Sequence, residues 1–170
     1  ATPSPEINVK QVSSIASGGT FGFGNQENGT NSGPLTFTIE NLGNDVLNLT
    51  GSPKIAISGA DASEFTINQT GTTATVAATS GTTTFTVTFT PGTAGAKTAQ
   101  LSIANDDTTG GEDPYIINLT GTSTTSQLSS IAAASFTAPT NIAYGNYQAT
   151  DITAANSLEV GRFTIQDGAS

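Results

Sequence analysis

The chain has 170 residues, 35% of them hydrophobic and only 10% charged, with a formal net charge of −9. Cysteine and histidine are absent, which excludes disulfides, thiolate nucleophiles, zinc–thiolate sites, imidazole ligands and any Ser-His-Asp triad. Lys10, Lys54, Lys97 and Arg162 are the only cations, too few to draw a phosphate backbone or an anionic bilayer, so nucleic acid is not an expected partner. No run approaches the ~18 apolar residues of a membrane helix. No basic, apolar-cored signal segment opens the chain, so an exported protein would carry its leader upstream.

Residues Ala1 to Pro5 read as a linker, small and proline-bearing. Ile7 and Val9 then alternate with polar neighbours, the mark of a strand with one buried face. Phe21-Gly-Phe-Gly24 suggests a short edge segment whose rings plug the core. An Asn- and Gly-rich turn region, Gln26 to Pro34, leads into the strand Leu35 to Ile39, apolar on its odd positions. Asn41 to Asp45 reads as a turn, followed by strands at Val46 to Leu49 and Lys54 to Ser58. Gly59 to Glu64 reads as a brief helical turn with Asp61 near its start, after which Phe65 and Ile67 return to the core.

Thr75 to Ala77 is a weak strand. The clearest follows: in Thr82 to Thr90, Phe85, Val87 and Phe89 occupy one face and Thr84, Thr86 and Thr88 the other. Threonine is β-branched and suits a pleated, half-wet surface. Pro91-Gly92 ends this run. Ala99 to Ile103 and Tyr115 to Leu119 are the last strands, separated by an acidic loop, Asn105 to Pro114. About eight short strands with regular turn signals and no helical period of ten residues predict an all-β, immunoglobulin-like antiparallel β-sandwich over 6–121.

The ordered pieces Phe21-Gly-Phe-Gly24, Phe37-Thr-Ile-Glu-Asn-Leu-Gly43, Leu47-Asn-Leu-Thr-Gly51, Phe85-Thr-Val-Thr-Phe-Thr-Pro91, Leu101-Ser-Ile-Ala-Asn-Asp-Asp107 and Leu119-Thr-Gly121 carry a family resemblance. Over about residues 5 to 122 the chain resembles a choice-of-anchor D repeat, similar to the Hydin-like immunoglobulin-type domains. The resemblance implies a module of a large bacterial secreted or surface protein, with neighbouring domains of the same polypeptide as its first partners. It brings no catalytic residues.

Residues 122–127 read as a flexible Thr/Ser linker. Residues 128–170 resemble the opening of a further repeat, with Phe163-Thr-Ile165 as its clearest strand, and stop about halfway. Such a piece is cut, packs on the sandwich, pairs with another chain to self-associate, or stays unfolded.

The candidate metal ligands are Asn105, Asp106, Asp107 and Asp113, because calcium takes six to eight oxygens from carboxylates, carbonyls and water. The same residues are ordinary turn formers, and no EF-hand spacing is present. Glu40, Asp45, Asp61, Glu64 and Glu159 are scattered, so no carboxylate pair for glycoside hydrolysis is legible. The four Asn-x-Thr sites, at Asn28, Asn48, Asn68 and Asn118, fit chance in an Asn- and Thr-rich chain. The resemblance implies a spacer or adhesion module, extracellular or at the cell surface, and the absence of any legible catalytic constellation fits a non-catalytic one. The alternatives are a calcium-assisted adhesin or carbohydrate-binding module with a protein or glycan ligand, and a subunit that self-associates through 128–170.

Overall fold

Alternation along the chain resolves into two facing sheets in the structure, a computed structural model that describes residues 2–125. The strands are β1 (Ile7–Lys10), β2 (Gly19–Glu27), β3 (Leu35–Asn41), β4 (Leu47–Asn48), β5 (Ala56–Ser58), β6 (Phe65–Asn68), β7 (Thr75–Val76), β8 (Gly81–Phe89), β9 (Gly95–Ile103) and β10 (Tyr115–Thr124). One four-stranded sheet runs β1-β3-β8-β6 and the other β2-β10-β9-β5, with a small β4-β7 pair beside them. A single 3-10 turn, Ala62–Glu64, lies among the described residues at the place where a helical turn was expected. The fold is an immunoglobulin-like β-sandwich.

The faces are those the alternation predicts. Phe37, Ile39, Phe85, Val87 and Phe89 are all buried, and Thr84 is exposed while Thr86 and Thr88 are half-buried. Strands β3 and β8 pair with Phe37 opposite Phe85, and those rings stack with centroids 5.3 Å apart. Phe21 and Phe23 extend the ring contacts to Phe37, Phe65 and Phe89, so β2 closes one side of the core as expected. Such aromatic pairs add stability beyond the area they bury.

Several details depart from the sequence reading. Strand β2 is nine residues long, and it pairs in parallel with β10, so the sandwich is not wholly antiparallel. Between β1 and β2 the chain crosses from one sheet to the other. Its crossing is tied by Ile15 N donating to Val9 O at 2.8 Å and by the Tyr115 hydroxyl donating to Ile15 O at 2.5 Å. Strand β9 starts at Gly95, which turns Lys97 into the inward row. Strand β10 runs through Gly121 to Thr124, into the segment read as a linker. Gly121 therefore lies inside a strand. An added Cβ there would sit 2.5 Å from the Phe89 ring, and the β10–β2 register shifts at this point. Only glycine allows that approach inside a strand.

Ser4 is also more than linker, since its amide donates to Asn44 Oδ1 at 2.9 Å. Residues 128–170, with Asp151, Glu159 and Asp167, lie outside the described residues.

Candidate functional site

The inward stripe of β9 does not stop where the strand stops. Positions 97, 99, 101, 103, 105 and 107 are all buried, and the last two are Asn105 and Asp107. Alternation thus carries an amide and a carboxylate into the pole of the sandwich where β1 begins. Buried polar groups cost free energy unless bonded, and these two are bonded throughout. Asn105 Nδ2 donates to Ile103 O at 3.0 Å and Glu112 O at 2.8 Å, while its Oδ1 accepts from Asp107 N at 2.8 Å. Asp107 Oδ2 accepts from Ile7 N at 2.9 Å, and its Oδ1 accepts from the Thr109 amide at 2.8 Å and hydroxyl at 2.6 Å.

The four residues singled out from the loop do not converge. Asp106 turns away to accept from the Asn48 amide at 2.8 Å and the Asn48 side chain at 2.6 Å. Asp113 Oδ1 accepts from Asn105 N at 3.0 Å. Both carboxylates fasten turns, which is the bland role open to turn residues from the start.

Asp107 instead meets Glu6 and Glu112, with one oxygen of each within 4.8 Å of the others. Glu6 is exposed and accepts from Thr109 Oγ1 at 2.9 Å; Glu112 is half-buried. Desolvation first, then the charges of Glu6 and Asp107, push the Glu112 carboxyl above its ordinary range. Glu6 was invisible as a member because a hundred residues of chain separate it from Asp107, and only the tertiary fold joins them. With one oxygen each, three carboxylates supply about half of a hard-cation shell, and both Asp107 oxygens already accept protein hydrogen bonds.

Two further polar residues carry the fold. Asn41 is fully buried, donates to Asp45 O at 2.7 Å and Val76 O at 3.1 Å, and accepts from Gly43 N at 3.0 Å and Glu6 N at 3.2 Å. Gln69 brackets Ile55, donating to its carbonyl and accepting from its amide, each at 3.0 Å. Glu40 pairs with Lys10 and accepts from Asn8 Nδ2 at 2.8 Å, and these bonds hold its carboxyl below the usual range.

No family model matches the chain, and no curated protein matches it. Solved structures do. A protein of unknown function from Porphyromonas gingivalis superposes with a TM-score of 0.52 at 14% identity, over 72% of this chain and 48% of that one. The chain therefore spans about half the length of that protein. The ASH/PapD-like domain 7 of human CEP192 gives a TM-score of 0.48 at 15% identity over 75% of this chain and 91% of the domain. A C. elegans MSP family member gives 0.35 at 14% identity over 60% and 91%. At these identities the likeness to the first is one of fold alone.

Proposed function

We propose that the sandwich is a non-catalytic structural and interaction module, of the choice-of-anchor D kind, within a larger secreted or cell-surface bacterial protein. The observation that carries this reading is where the chain enters and leaves. Glu6 and Ile7 are bonded to the β9–β10 loop through Thr109 and Asp107. From that loop β10 runs ten residues to Thr124, about 30 Å at strand rise. Thr124 O accepts from Asn28 N at 2.9 Å at the opposite pole, beside Pro91. A module whose ends lie at opposite poles separates whatever is joined to it, and its two hydrogen-bonded sheets transmit that separation rigidly.

Replacing residues 6–124 in the parent polypeptide with an unrelated sandwich of similar length tests this. Retained surface function is expected. Loss that no substitute repairs overturns the spacer role and favours a ligand-binding module. A calcium titration followed by melting temperature then separates the calcium-assisted alternative. A rise of several degrees that Glu6→Gln with Glu112→Gln abolishes would favour that alternative over the purely geometric role.

A further inference from the structure

The inward stripe of β9 opens with a lysine. Lys97 is only 6% exposed, and a buried ammonium is costly unless its donors are taken. Its Nζ donates to Thr93 Oγ1 at 2.7 Å and Glu64 Oε1 at 3.0 Å, and Asp61 Oδ1 stands 3.7 Å away. Two carboxylates thus face one buried amine.

The two are arranged differently. Asp61 precedes the 3-10 turn, yet its side chain does not cap that turn. It reaches across to β9, where Oδ2 accepts from Thr98 N at 2.9 Å. Its other oxygen, Oδ1, faces the lysine. Glu64 offers one oxygen to Lys97, while its second oxygen is buried and has no hydrogen-bond partner. Buried polar atoms are normally paired, and an exception calls for an explanation. The backbone on both sides is pinned: Thr90 N donates to Glu64 O at 2.8 Å, and Asp61 N donates to Thr98 O at 3.2 Å.

We propose that Lys97 and Asp61 join through an intramolecular amide bond, with Glu64 carrying the proton. Glu64 relays a proton from Lys97 Nζ to Asp61 Oδ1, and the free amine attacks Cγ of the now neutral carboxyl. Negative charge developing on Oδ2 is held by the Thr98 N–H already aimed at it. The Cγ–Oδ1 bond breaks, and that oxygen leaves as water with two protons that began on Nζ, one of them delivered by Glu64. Glu64 ends as the carboxylate it was. An ammonium and a carboxylate become an amide and one water, with no oxidant, reductant or cofactor. Fixed neighbours replace a chance encounter of amine and acid.

Intact mass of the folded full-length chain is the test. The expected mass is one water below that of the sequence, and proteolysis should release a peptide containing Lys97 joined to one containing Asp61. Lys97→Arg and Glu64→Gln should each restore the full sequence mass. Asp61→Asn should expel ammonia in place of water and give the same linked product. A folded wild-type chain at full sequence mass after prolonged incubation at neutral pH overturns the proposal. So does an undiminished mass deficit in Lys97→Arg. A deficit that persists in Glu64→Gln overturns the proton-carrying role.

Discussion

One row of side chains on β9 meets buried charge at both its ends, and the two ends handle it differently. At the pole where the chain enters, Asp107 is neutralised mainly by backbone: the amides of Ile7 and Thr109, with one hydroxyl. At the other pole, Lys97 is met by three side chains, and one Glu64 oxygen is left unbonded. Backbone donors are fixed by the fold and need no ordering of long side chains, so they satisfy a buried carboxylate completely. Side chains must converge from the 3-10 turn and the β8–β9 loop, and here they bring one acceptor more than the amine can saturate. The first arrangement is a fastening. The second stores chemical opportunity.

The most forceful perturbation lies between the two ends. Val87→Asp places a charge in the fully buried row of β8 and should cost more than about 4 kcal/mol, a large share of a domain's stability. A chemical denaturation midpoint unchanged from wild type would refute the face assignment. Next comes Lys97→Met. It removes the amine, whether ion-paired or linked to Asp61, and leaves Asp61 and Glu64 facing each other without it; it should cost at least about 3 kcal/mol. Removing Glu64 as well, as Glu64→Leu, should return part of that loss, whereas no second substitution of a backbone donor is available at the Asp107 end. Asp107→Ala follows. It strands the Ile7 amide in a buried site, while the amide of the exposed Thr109 can turn to water, and should cost about 2 kcal/mol by equilibrium unfolding.

A smaller effect is pH-dependent. The Glu112 carboxyl is pushed up in the fold by desolvation and by Glu6 and Asp107. A carboxyl raised above its unfolded value penalises the folded state as pH rises through the folded value; below the unfolded value the penalty is absent. Glu112→Gln should therefore raise Tm modestly at neutral pH, and the gain should vanish on acidification below the ordinary carboxylate range. A gain that grows in acid would reverse the assignment. Smallest of all, Thr86→Asp on the outer face of β8 should move stability by no more than about 0.5 kcal/mol, and a larger loss would mark that face as covered.

Much of the sandwich was legible because a strand has a period of two and its inward face must be greasy. Phe37, Ile39, Phe85, Val87 and Phe89 announce themselves in this way, and all are buried. The parallel β2–β10 pair was not legible, since it joins strands a hundred residues apart with no turn between them. The extension of β10 was hidden by Gly121-Thr-Ser-Thr124, which has the composition of a linker and the backbone of a strand. The acidic loop was visible as a cluster of carboxylates, but not as a set of separate bonds. Asp106 and Asp113 fasten turns, and Asp107 alone goes inward.

Local chemistry settled the strands, their faces and the lack of thiol or imidazole equipment, because each follows from neighbouring residues and from which side chains exist at all. Which charges meet was settled by the folded chain. Lys97 with Asp61 and Glu64, and Glu6 with Asp107 and Glu112, are contacts between distant segments. Polar side chains carry no periodic signature of their own; they go inward when the register of a greasy strand takes them there, and their partners are whatever the opposing segments bring.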